Sequence, residues 1–330
     1  MPNRITLLLL LSLLFLLALT DLWMGTVNIS PLDWPSILMG RDDHPGWRDI
    51  LVEIRLPRVL TGILAGAGLA VSGLLMQSLF RNPLAGPDVL GISSGAGLMV
   101  ALVVLGGLSL GNAYWTTALA ASAGSALAFL GIALLATRIR QNTSLLIIGL
   151  MMGAVTSGIV TILQYWARAE ELQFFTLWTM GNIAGTGWQE IGILALMLAV
   201  SSIISLSLVK AINAWPLGDM FARSVGIHLG NTRWKVLIAT SLVTGSITAF
   251  CGPIAFVGIA VPHFVRRLSP TANHQHLLPQ SAVAGACLLL ACDLLSQLPG
   301  EGRVLPINAI TALVGAPFVI ALMTGKGRPD

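Results

Sequence analysis

The chain has 330 residues, 55% of them apolar and only 10% charged, with a net charge of +4. A soluble domain of that size has no interior able to hide so much apolar surface, and basic residues scattered among loops are no nucleic-acid footprint. Cys251, Cys287 and Cys292 all fall in apolar stretches without paired Cys/His spacing, which argues against a disulfide framework or a metal site.

A helix needs about 20 mostly apolar residues to cross a hydrocarbon core ~30 Å thick. On that criterion spans fall near 5–24, 58–80, 92–111, 116–138, 143–166, 190–210, 234–251, 252–268, 277–299 and 306–324. The expected fold is an all-α membrane protein of about ten transmembrane helices. It reads as one integral domain over 1–330, with a polar central segment at 211–233. Arg4 followed by a Leu-rich run is reminiscent of a signal peptide. The run Ile5–Leu19 is long for that role and the small-residue cleavage pattern around Thr20–Gly25 is poor, so an uncleaved first span is expected.

Basic residues orient the chain. With a cytoplasmic N-terminus, twelve fall inside (Arg4, Arg81, Arg138, Arg140, Lys210, Arg223, Arg233, Lys235, Arg266, Arg267, Lys326, Arg328) and six outside (Arg41, Arg48, Arg55, Arg58, Arg168, Arg303). That bias predicts a multi-pass inner (plasma) membrane protein with both termini cytoplasmic.

The second span carries Gly62, Gly66 and Ala70 at four-residue spacing, then Gly73. Small residues on one face let helix backbones approach closely, so packing is expected ahead of pore lining. Arg81-Asn82-Pro83-Leu84-Ala85-Gly86-Pro87, then Gly252-Pro253 and Pro262, are read as breaks at membrane depth. Irregular backbone survives there only inside protein or beside a wet cavity, which suits a conduit better than an anchor. Pro57–Leu90 and Arg233–Arg267 share a plan: an arginine-flanked start, small residues, then a Pro/Gly break. In this topology they enter from opposite sides, as inverted repeats of transporters do.

Few polar groups could carry chemistry. Gly91-Ile92-Ser93-Ser94-Gly95 fits G-x-S-x-G, with His263 as a conceivable base, but no strand precedes it and small residues are common in membrane helices. Tight turning at a helix start is the expected role, and His263 reads as a hydrogen-bonded interface group. Asp293 lies deep in an apolar span, where a carboxylate must be paired, protonated or facing water. Trp215–Gly226 reads as a short helix with Asp219 as N-cap and Gly226 as stop. Met220, Phe221 and Val225 would leave apolar surface for a partner's groove. No G-x-x-x-x-G-K-[ST] pattern occurs, so any ATP would be bound by another chain.

Five ordered stretches then share one resemblance: Ile54-Arg55-Leu56-Pro57-Arg58, Gln77–Gly91, Gly218–Gly226, Gly252–Arg266 and Leu305–Pro317. Together they resemble the permease subunits of ABC importers for iron-siderophores, haem and cobalamin, the FecCD type. The resemblance implies the type II importer permease fold with its inverted repeat, and a homodimer or pseudo-dimer around a central path in the lipid bilayer. Two ATPase subunits, carrying ATP and Mg, would dock below, and a periplasmic or lipid-anchored substrate-binding protein above. It implies no cofactor, metal or nucleic acid on this chain. It assigns ATPase coupling to Gly218, Asp219, Ala222, Arg223 and Gly226. Binding-protein docking goes to Arg55 and Arg58, and the cytoplasmic gate to Asn82, Leu84, Thr143 and Ser144. A further docking arginine of the cobalamin member is replaced near Gln297, with Arg303 as the candidate substitute. The expected function is import of a siderophore-type ferric chelate by alternating access, with cobalamin or haem as the alternative cargo. An intramembrane serine hydrolase on Ser93 and His263 is the reading from another class. A secondary transporter is a third, and the scarcity of buried acids argues against it.

Overall fold

A computed structural model describes residues 2–25, 27, 29–39, 46–107, 113–139, 141–269, 271–298 and 304–324. Ten helices fall in the ten expected spans. They are α1 (Pro2–Trp23), α2 (Leu56–Phe80), α3 (Ile92–Val104), α4 (Ala113–Arg138), α5 (Asn142–Trp166), α6 (Trp188–Ser207), α7 (Leu229–Cys251), α8 (Val257–Leu268), α9 (His274–Gln297) and α10 (Ile307–Thr324). Seven of them, α1, α2, α4, α5, α6, α7 and α9, are long and apolar enough to cross a membrane. The spans expected over 92–111 and 252–268 hold helices of only 13 and 12 residues. At 1.5 Å per residue these reach about 20 Å, short of a full crossing.

The two halves repeat one plan. α2 closes on Arg81 (φ 49°) and α7 on Gly252 (φ 72°); a Pro-bearing loop follows each. Short α3 then opens behind Gly91 (φ 72°), and short α8 behind Phe256 (φ 67°). Pairings match too: α2 packs on α9 as α7 packs on α4, and α2 on α8 as α7 on α3. Likewise α3 packs on α4 and α5, and α8 on α9 and α10. Arg58 at the start of α2 meets Asp293 at the end of α9, while Ser78 near the end of α2 meets His274 at the start of α9. These two helices are therefore antiparallel. In the mate pair Arg233, near the start of α7, donates to the carbonyls of Ala136 and Ile139 at the end of α4. This is the inverted repeat expected from the arginine-flanked starts.

The small face of α2 packs and lines no pore: Gly62, Gly66, Ala70 and Gly73 are all buried. Gly66 meets the Gly285 carbonyl of α9, and Gly73 the Gly258 carbonyl of α8; a Cβ at either would collide with backbone. Pro262 does not interrupt α8, which runs through it. Having no N–H, Pro262 leaves the carbonyl four residues back without a helix donor, and that carbonyl is the one turned onto Gly73. The true break is Gly252–Phe256, and its backbone is stitched internally. Cys251 O accepts from Asn182 N (2.8 Å), the Asn308 side chain accepts from Ala255 N (3.1 Å), and Asn308 N donates to Met180 O (3.2 Å). Non-helical chain survives at that depth because these groups replace water.

Gly73→Ala is expected to destabilise the protein by about 1–3 kcal/mol, the range for overpacking a tight contact. Gly97→Ala, with nothing within 4 Å of its Cβ position, should be neutral or mildly stabilising. Thermal unfolding in detergent separates the two.

Candidate functional site

The polar groups gather at the two ends of the bundle. At one end the chain between α6 and α7 forms a helix (Val209–Ala214), a 3-10 turn (Trp215–Leu217) and a second short helix (Asp219–Ser224). Trp215 and Ala222 are buried and anchor it, whereas Leu217, Met220, Phe221 and Val225 are exposed. Arg223 is exposed beside them. Gly218 (φ 109°), not Asp219, takes the N-cap position, because only glycine adopts that backbone at no steric cost. Asp219 is the first helical residue, and its carboxylate accepts from Arg81. Gly226 (φ 81°) ends the helix: its N–H donates to Arg223 O and that of Ile227 to Ala222 O, the Schellman pattern.

The loop after α2 lies beside this segment. Arg81 caps α2 and its Nη2 donates to Trp215 O (2.8 Å) and Asp219 Oδ1 (2.5 Å). Asn82 Oδ1 accepts from Leu84 N (2.9 Å), a turn that leaves Leu84 exposed next to Ile259, His263 and Val319. Thr143 and Ser144 open α5, where Ser144 Oγ donates to Gln141 Oε1 (3.3 Å), while α5 meets Gly91 further along, at Gly149–Gly153.

Ser93 and His263 do not form a nucleophile and base. Ser93 Oγ donates to Asp88 Oδ1 (2.7 Å), while His263 faces Pro83 and Leu84. Burial pushes the Asp88 carboxyl above the usual carboxylate range, and the Ser93 hydroxyl offsets part of that by donating to it. Asp88 is thus a turn group that holds the start of α3.

At the other end, the two arginines expected at an open rim are turned inward. A π-helical stretch, Ile50–Arg55, precedes α2, and Pro57 explains it by removing the donor that would bond Glu53 O. Arg55 is 6% exposed and donates to the carbonyls of Leu22, Trp23 and Val27, capping the end of α1. Arg58 holds Asp293 bidentately, Nε to Oδ2 at 2.7 Å and Nη2 to Oδ1 at 2.8 Å. Gln297 joins in, donating from Nε2 to Asp21 Oδ1 (2.7 Å) and Asp293 Oδ2 (3.2 Å). Asp21, which sequence reasoning did not place here, and Gln297, which it named only as the site of a replaced docking arginine, tie α1 and α9 together. Asp21 at the end of the first span was the available signal, since a carboxylate there needs a partner. Arg303 lies outside the described residues.

Two inverted halves, stitched breaks and an exposed polar segment between them define a polytopic transport protein. Comparison with known proteins makes this specific. The chain belongs to the FecCD transport family, whose model matches residues 10–325. It is 37% identical over 323 residues to the vitamin B12 import system permease protein BtuC of Escherichia coli O139:H28, covering 97% of this chain and 95% of that one. Identity to the same protein of Escherichia coli O157:H7 is 36% over the same shares. An inward-facing metal-chelate type ABC transporter is similar in structure, with TM-score 0.85, 29% identity, and 96% and 98% of the two chains covered. PsaBC from Streptococcus pneumoniae, solved with a Fab, shares the fold alone, at TM-score 0.56 and 15% identity. The protein is an ABC importer permease, multi-pass in the inner membrane, and not an enzyme.

Asp293→Ala is expected to cost about 3–5 kcal/mol, since it strands a buried guanidinium. The pair Arg58→Met with Asp293→Leu should cost less than either single change. Thermal unfolding of the purified variants checks both.

Proposed function

We propose that this chain is the membrane permease of an ATP-driven importer for vitamin B12. The observation that supports this most is the 36–37% identity, over 97% of the chain, to vitamin B12 import permeases. That weight moves the reading from the siderophore-type ferric chelate expected from the sequence to its cobalamin alternative. The ferric chelate stays as the second reading, on the 29% identity to a metal-chelate type transporter. Both cargoes are bulky and need a wide path.

In this reading residues 1–330 form one membrane unit that works with a second copy. α5, exposed along much of its length, offers a face for that copy or for lipid. Both termini and residues 211–233 lie in the cytoplasm, following the twelve-to-six bias of basic residues. ATP and Mg belong to two ATPase subunits, whose grooves receive the apolar face of Met220, Phe221 and Val225. Gly218, Asp219, Ala222, Arg223 and Gly226 shape that contact. Asn82, Leu84, Thr143 and Ser144 belong to the cytoplasmic gate, with the two pairs brought together across the dimer. Outward- and inward-facing states differ in affinity for the ATP-bound partner, and this difference shifts the population between them. A substrate-binding protein delivers cargo at the outer end. Arg55 and Arg58 serve docking there indirectly, by fixing the ends of α1 and α9.

Proteoliposomes holding this chain, its ATPase and its binding protein should take up labelled cyanocobalamin only with ATP. Excess cobalamin should compete, and haem or a ferric siderophore should not. Uptake of the ferric siderophore alone would overturn the cargo assignment. Uptake without the ATPase that a protonophore abolishes would overturn the importer itself. Arg223→Glu should abolish uptake while ATP hydrolysis continues; normal uptake would contradict the coupling role.

A further inference from the structure

The geometry points to Arg81 as a positioning residue that ties the gate loop to the coupling segment; this rests on the transport reading above. Three observations carry it. First, Arg81 is one of two non-glycine residues with positive φ among the described residues, at φ 49° and ψ 39°. It occupies the left-handed position that ends α2, with its N–H on Gln77 O. Backbone preference puts glycine or asparagine at such a position, so arginine is there against local preference. An observed departure of this kind argues for a role of the side chain.

Second, that side chain makes long-range contacts and no local cap. Nη2 reaches Trp215 O and Asp219 Oδ1, 134 and 138 residues away. Trp215 is buried at 3% exposure, so one contact lands on the fixed root of the segment. The other lands on the first residue of the Asp219–Ser224 helix, the element that carries the exposed apolar face. One guanidinium thus bonds both the root of the segment and the helix that carries its apolar face.

Third, the chain leaves Arg81 directly into Asn82-Pro83-Leu84. The side chain of Asn82 locks that turn, and Leu84 meets Ile259 and His263 of α8 and Val319 of α10. Displacement of the Asp219–Ser224 helix would reach Leu84 through one side chain and one locked turn. It need not travel through the membrane helices.

The energetics make the idea testable. The Arg81 and Asp219 side chains are 42% and 59% exposed, and a pair so open to water adds little to folding stability. Glycine at position 81 removes the backbone strain. Arg81→Gly should therefore keep or raise thermal stability, so that a loss of uptake in this variant does not stem from unfolding.

The experiment reconstitutes the full complex with its ATPase and binding protein and measures thermal stability, ATP hydrolysis and cyanocobalamin uptake. Arg81→Gly should hydrolyse ATP yet import about tenfold less, within the range usual for coupling between sites. Arg81→Lys, which keeps the charge and a donor, should recover most of the uptake. Asp219→Ala should lower uptake as well, and adding Arg81→Gly to it should cause little further loss. Wild-type uptake per ATP in Arg81→Gly would overturn the tie. So would a fall in stability that matches the fall in uptake, or fully additive losses in the double variant. A wild-type complex that imports nothing would instead sink the transport reading, which separates the two failures.

Discussion

Helices in lipid gain nothing from hiding apolar surface from one another, because the surrounding chains are just as apolar. This protein depends instead on close backbone approach. Gly66 against Gly285, and Gly73 against Gly258, bring α2 onto α9 and α8 with no side chain between them. Once α2 is seated so tightly, the rest follows. Arg58 arrives at Asp293, Arg55 at the end of α1, and the break at Gly252 comes within reach of Asn182 and Asn308. The α4–α7 pair repeats the helix pairing in the opposite sense, with Arg233 at the start of α7 donating to the carbonyls that end α4.

The two ends of α2 then divide the work. At one end Arg58, Asp293, Gln297 and Asp21 join α1, α2 and α9 into a hydrogen-bonded rim. At the other end a largely buried chain of hydrogen bonds runs from Ser78 of α2 through His274 to Asn213 at the root of the segment between α6 and α7, and the water-exposed Arg81–Asp219 pair adds the tie to its second helix. A fixed rim at one end and, at the other, a short helix held by a water-exposed ion pair suit a machine driven from the end that carries the segment between α6 and α7. Elements that move are drawn from the parts with fewest buried contacts.

Much of this was legible in the sequence. Apolar runs located all ten helices, the Gly62–Gly73 face announced close packing, and the depth of Asp293 demanded a partner. Other features were not legible, for physical reasons. The partner of Asp293 is 235 residues away and set by the fold, so Arg58 read as a free rim charge. Arg55 looked equally free, because nothing local shows that the carbonyls ending α1 need capping. Pro262 looked like a break, but inside α8 its missing donor costs one carbonyl, which turns onto Gly73. Asp219 looked like the N-cap until Gly218 took that position and released the carboxylate to Arg81. The cargo is recorded only faintly, since small and weakly polar residues report the size of a passenger better than its chemistry.

The most direct test is sidedness. Cys251, Cys287 and Cys292 are buried, so single cysteines at exposed Met220 and Glu170 can be labelled in sealed vesicles with a membrane-impermeant maleimide. The account predicts that position 220 reacts only from the cytoplasmic face and position 170 only from the outer face. Labelling of both from one face, or of position 220 from outside, would contradict the inverted arrangement and its coupling to a cytoplasmic ATPase.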